Sequence, residues 1–73
     1  IEINPQDASA YKNRGIAKSN LKDYQGAITD FSKAIEINPQ YADAYHCRGI
    51  SKSGLGDHQG AIADLNKAID INP

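Results

Sequence analysis

The chain has 73 residues, and its eight Lys+Arg against nine Asp+Glu leave a net charge of −1. That balance offers no basic face to replace the counterions of a nucleic acid, and no apolar run approaches the ~20 residues that span a bilayer. A single cysteine forms no internal disulfide, and a chain this short buries only about 60 % of its unfolded surface, so neighbouring packing has to complete it.

Pro5, Pro39 and Pro73 stand 34 residues apart, and residues 6–39 overlay residues 40–73 without a gap, with 22 of 34 positions identical. Ile1-Glu2-Ile3-Asn4 recurs as Ile35-Glu36-Ile37-Asn38. Residues 1–5 therefore read as the tail of a preceding repeat, 6–39 as the first repeat and 40–73 as the second, the whole a cut from a longer array.

The elements follow in chain order. Residues 8–21 lack proline and carry Ala8, Tyr11, Gly15 and Ala10, Ala17, Leu21 at helical spacing, which predicts a helix with two packing stripes. Asp23 is the expected N-cap of a second helix. In it Tyr24, Ala27, Ile28, Phe31, Ala34 and Ile35 keep the i, i+3, i+4, i+7 pattern. Asn38-Pro39 ends it, because the residue before proline is driven out of the helical region. The second copy predicts helices over 42–55 and 58–71 around a Gly56-Asp57 turn, and period-two alternation never persists. The fold class is therefore all-α, two tandem antiparallel helix-turn-helix repeats of 34 residues.

Gly15 and Gly49 interrupt helices at a cost of about 1 kcal/mol against alanine. The expected compensation is close approach to small residues of the paired helix, Ala27 or Ala34 for Gly15 and Ala61 or Ala68 for Gly49. Arg14 and Arg48 fall among packing positions and recur with Asp30 and Asp64, so an internal ion pair is expected in each unit.

The pattern Tyr11-x2-Arg14-Gly15, Tyr24-x2-Ala27-x3-Phe31-x2-Ala34, Pro39 resembles the tetratricopeptide repeat, as does Tyr45-x2-Arg48-Gly49, Ala61-x3-Leu65-x2-Ala68, Pro73. The departures are Tyr11 and Tyr45 for the commoner Trp, Arg14 and Arg48 for Leu, Lys18 and Lys52 for Tyr, and His58 for an aromatic. The resemblance implies a right-handed α-solenoid segment whose first helices line a concave groove for a peptide or partner segment. The family's carboxylate clamp is not expected, since Ile16 and Cys47 stand where it needs other residues.

Comparison of the copies nominates the groove. Ser9, Lys12, Asn13 and Asn20 differ from Asp43, His46, Cys47 and Gly54, and they lie on one helical stripe completed by Ile16 and Ile50. The candidate site is therefore Ser9, Lys12, Asn13, Ile16, Asn20, Asp43, His46, Cys47 and Ile50, with Ser19 as a further neutral hydrogen-bonding group. Positions 29, 32 and 36 also differ and read as an outer, solvated stripe.

No catalytic set is expected: His46 is adjacent to Cys47 and so projects about 100° away on a helix, and a nucleophile needs a base within reach. His46, Cys47 and His58 fall short of four zinc ligands, no phosphate loop follows Gly54 and Gly56, and no cofactor is implied. A protein or peptide partner is expected, with neither nucleic acid nor membrane; the lone thiol and lack of a signal segment point to the cytoplasm. A spacer or oligomerising solenoid is the alternative, as is a regulatory module of an enzyme whose catalytic domain lies elsewhere. Helix 58–71 keeps an unmodified apolar stripe at Ala61, Ile62, Leu65, Ala68 and Ile69, so end-to-end self-association is expected, against helix 8–21 and the Ile1 and Ile3 segment.

Overall fold

Among the described residues, three of four helices begin on an aspartate. In the computed structural model, which describes residues 7–73, the helices are α1 (Ala8–Asn20), α2 (Tyr24–Ile37), α3 (Ala42–Gly54) and α4 (His58–Ile71). The Asp7, Asp23 and Asp57 carboxylates accept from the N–H groups of Ala10, Gly26 and Gly60 at 3.1, 3.0 and 2.9 Å, satisfying donors that a helix start leaves open. Helix α3 starts at Tyr41 without a side-chain cap. Ile1 and Ile3 lie outside the described residues.

The two intra-unit turns are the same motif. Lys22 N–H donates to the Ser19 carbonyl at 2.9 Å and Asp23 N–H to Lys18 at 2.8 Å; Gly56 and Asp57 repeat this onto Ser53 and Lys52, at 2.9 Å each. This paired reach-back needs a left-handed residue after the helix, and Lys22 (φ 65°) and Gly56 (φ 87°) supply it. Asp23 and Asp57 each close one helix and cap the next, so the helices reverse within three residues. Gly54 does not join the turn; it ends α3, and a Cβ there would stand 2.8 Å from the Tyr24 ring.

Packing runs α1 on α2, α2 on α3 and α3 on α4, with little contact between α1 and α3. Across the units the residues that meet identify antiparallel neighbours, Arg48 meeting Ser32 and Gly54 approaching Tyr24, and within each unit Arg14 and Lys18, or Arg48 and Lys52, meet one carboxylate of the following helix. Among the described residues, Ala27, Phe31, Ala34, Ala44 and Ala61 are the buried apolar ones. The core is thus mostly alanine around one aromatic ring, which keeps the helices close.

The atoms nearest to a Cβ on Gly15 belong to Phe31 rather than to Ala27 or Ala34. A Cβ on it would lie 2.6 Å from the Phe31 ring; the ring takes the space that the missing side chain leaves. Leu65 is the smaller counterpart of Phe31. A Cβ on Gly49 would meet the Ala61 carbonyl oxygen at 3.0 Å and Leu65 at 3.1 Å. One glycine makes room for a ring, the other for a backbone.

Candidate binding groove

Both units hold α1 or α3 in place with the same buried cluster. Arg14 donates to Asp30 through Nε (2.9 Å) and Nη2 (2.7 Å), and Lys18 Nζ lies 3.2 Å from the same carboxylate. Arg48 donates to Asp64 through the same two nitrogens at 2.8 Å each, with Lys52 at 3.1 Å. Two-pronged guanidinium–carboxylate bonds fix orientation as well as distance. Arg14 and Arg48 also stack over Tyr11 and Tyr45 at 5.5 and 5.4 Å. Hydrogen bonding from Arg14 holds the Asp30 carboxyl below its ordinary range, with Lys18 assisting against the opposing burial. At Asp64 burial is the largest influence and pushes upward, but the bonds from Arg48 and Lys52 together outweigh it and its carboxyl is also lowered. Two cations per buried acid keep the acid ionised.

Arg48 makes a bond that Arg14 lacks. Its Nη1 donates to Ser32 Oγ at 3.1 Å, across the boundary between units. Position 32 therefore belongs to the seam between α2 and α3, not to an outer solvated stripe; Thr29 and Glu36 remain exposed.

With these anchors set, α1 and α3 run side by side and leave a shallow cleft of about 140 Å³. Ile16, Ser19 and Asn20 line it from α1, Cys47 and Ile50 from α3, and Phe31 forms its floor. Ile50 is exposed at its rim. Four of the nine nominated residues, Ile16, Asn20, Cys47 and Ile50, thus meet in one place. Asp43 and His46 instead line a second hollow of about 360 Å³ with Leu65, Ala68, Ile69 and Asn72 of α4. Lys12 sits over the Tyr41 ring at 5.7 Å. Ser9 and Asn13 are exposed and line neither hollow. Phe31 belongs to the cleft but reads in the sequence as core, which it also is.

Burial raises the Cys47 thiol, and Asp43 adds to this against the pull of Lys12. A raised thiol is a poor nucleophile at neutral pH. Ile16, Ile50, Cys47 and Phe31 make an apolar cleft with polar edges. Among the described residues no three metal-ligating side chains come together, and no helix is long and apolar enough to cross a membrane.

Helix pairs stacked by a 34-residue period, with first helices flanking a common groove, define an α-solenoid repeat protein. Two sequence models of the tetratricopeptide repeat match residues 8–41 and 31–63, and the chain belongs to the tetratricopeptide repeat family. It is similar to the protein in a crystal structure of MamA, at 36 % identity and a TM-score of 0.94 over 96 % of this chain and 41 % of that one. It is also similar to a second crystal structure of MamA protein, at 28 % identity and a TM-score of 0.88 over 93 % of this chain and 37 % of that one. The chain spans less than half of either structure. Comparison with curated proteins returned no match.

Proposed function

We propose that residues 6–39 and 40–73 act as two binding units of a scaffold that holds a peptide or partner segment between α1 and α3. The family supports a protein-interaction scaffold in general, and points away from catalysis. The apolar cleft with Ile50 exposed at its rim carries the finer reading. A partner segment anchors an aliphatic side chain over Ile16, Ile50 and Cys47, and Ser19 and Asn20 supply hydrogen bonds beside it. Lys12, Asn13 and Ser9 lie nearer the start of α1, outside the cleft, and Asp43 and His46 belong to the separate hollow against α4. The partner is a protein rather than nucleic acid or membrane, since Arg14, Lys18, Arg48 and Lys52 are engaged by Asp30 and Asp64 and the chain's net charge is −1. Self-association through the ends of the helix stack belongs to the same reading.

The groove is tested with peptides selected from a phage-displayed random library and measured by fluorescence anisotropy. Ile50→Asp and Ile16→Asp are expected to weaken the selected peptides roughly tenfold or more, because a charge in an apolar contact forfeits at least ~1.4 kcal/mol. Thr29→Ala and Glu36→Ala, on the far face of α2, are expected to leave affinity unchanged. Equal loss from both pairs overturns the groove.

A further inference from the structure

Phe31 serves two surfaces at once. It is 1 % exposed, a core residue of α2, yet its ring is also the floor of the cleft between α1 and α3. The ring has nowhere to retreat. A Cβ on Gly15 would stand 2.6, 2.9 and 3.0 Å from its Cε1, Cδ1 and Cζ, so the ring already rests against the α1 backbone. Ile16 and Ser19 line the cleft one and four residues after Gly15, so the cleft opens within a helical turn of that contact. A closely packed interior passes on a push rather than absorbing it. The depth of the cleft is therefore fixed from beneath.

The remaining lining carries no charge. Ile16, Ser19 and Asn20 from α1 and Cys47 and Ile50 from α3 are neutral groups. Burial keeps the Cys47 thiol protonated, and Lys12 and Asp43 act on it with opposite sign. A charged side chain entering here would lose its water and gain no counter-ion. Ile16 and Ile50, one on each wall, offer branched aliphatic surface instead.

We propose that Phe31 selects the residue a partner inserts between α1 and α3: the fixed ring sets a depth that takes a branched aliphatic side chain, Val, Ile or Leu, and turns away Phe and Trp. This selection rests on the groove reading above and adds to it the identity of the anchor. A larger ring would either stand proud of the cleft or press Phe31 into Gly15, and overpacked sites are costly. The second unit shows the alternative floor. Leu65 is the counterpart of Phe31, and its Cγ lies 3.1 Å from the Cβ position of Gly49, so the same framework already accommodates leucine. Phe31→Leu removes part of the ring and deepens the cleft without adding a charge. Ser19 and Asn20 serve every anchor alike, because they bond the peptide backbone beside it.

The test uses peptides selected on the folded 73-residue chain, taking those that Ile50→Asp weakens. The position at which alanine costs most is remade as Val, Leu, Phe or Trp, and affinities are measured by fluorescence anisotropy. On the parent, affinity is expected to rise from Ala through Val to Leu and to fall roughly tenfold from Leu to Phe, the discrimination an apolar pocket achieves for a modest change in bulk. On Phe31→Leu that preference is expected to vanish or invert, with helicity unchanged by circular dichroism. A purely structural role for Phe31 would weaken every peptide alike and keep the Leu-to-Phe ratio, which overturns the selection. Affinity that climbs through Phe and Trp on the parent also overturns it, whether or not Phe31→Leu folds. In both cases Ile50→Asp still weakens the peptides, so the groove stands. Selected peptides that are all indifferent to Ile50→Asp overturn the groove, and the selection with it.

Discussion

Lys22 and Gly56 occupy the same left-handed turn position, one with a side chain and one without, so exchanging them isolates a backbone cost. Lys22 has φ 65° and Gly56 φ 87°. The left-handed conformation costs an L-residue about 1–2 kcal/mol, and glycine escapes it. Glycine in turn adds about 0.5–1 kcal/mol of chain entropy to be lost on folding. The difference predicts that Lys22→Gly stabilises by about 0.5–1 kcal/mol and Gly56→Lys destabilises by a similar amount. Nothing lies within 4 Å of a Cβ built on Gly56, so no clash contaminates the second variant. In a domain of this size 1 kcal/mol moves Tm by about 4–8 °C, so shifts of about 2–8 °C in opposite directions are expected. Urea titration followed by far-UV circular dichroism should move the midpoint and leave the slope unchanged, as neither change alters the surface exposed on unfolding. A Gly56→Lys variant as stable as the parent, or a destabilised Lys22→Gly, would refute the reasoning.

Three further outcomes follow from the packing. Asp30 and Asp64 are lowered in the folded state; the unfolded chain, with carboxylates near about 3.9, then binds more protons in that window. Their contribution is complete above about pH 4 and is lost as pH falls toward the folded values. Acid titration of stability should show this, and Asp64→Asn should flatten it while costing about 2 kcal/mol at neutral pH, less than a fully buried pair because Arg48 and Lys52 reach solvent. Gly15→Ala places a Cβ 2.6 Å from the Phe31 ring, so overpacking of about 1–3 kcal/mol should exceed the helix-propensity gain of about 1 kcal/mol. Phe31→Leu, which imitates Leu65, should shrink that penalty in a double-mutant cycle on denaturation midpoints. Ser51 Oγ is buried without a hydrogen-bond partner, so Ser51→Ala, matching Ala17, should raise the melting temperature by an amount worth about 1 kcal/mol.

Much of the fold was legible because a repeat states each decision twice. The Asp23 cap and the Asn-Pro stop recur 34 residues on, and the helix limits read from the repeat differ from α1 and α3 by a single C-terminal residue. The Arg14–Asp30 and Arg48–Asp64 pairs were legible for the same reason, since a charge at a packing position needs an opposite charge that recurs with it. Lys18 and Lys52 as second partners were less visible, although each lies four residues after its arginine and so on the same face. What the sequence could not convey was the rotation of each helix about its axis. A stripe drawn on one helix groups Ser9, Lys12, Asn13, Ile16 and Asn20. The angle between neighbours decides which enter the cleft, and only Ile16 and Asn20 of α1's nominated residues do. Asp43 and His46 turn toward α4 for the same reason. Phe31 against Gly15 was missed because a small residue was matched to small residues, when its absent side chain accommodates the largest ring in the core. Ser32 passed for a surface residue because its role is set by a helix sixteen residues further along.

The groove between α1 and α3 is tested most directly by backbone amide chemical shifts of the labelled chain, titrated with a library-selected peptide below the concentration at which copies associate. Shifts that saturate together at Ile16, Ser19, Asn20, Cys47 and Ile50, with Thr29, Glu36 and Ile62 unmoved, are the expected result. Saturating shifts confined to α2 and α4, with the residues around Ile50 unmoved, would contradict it.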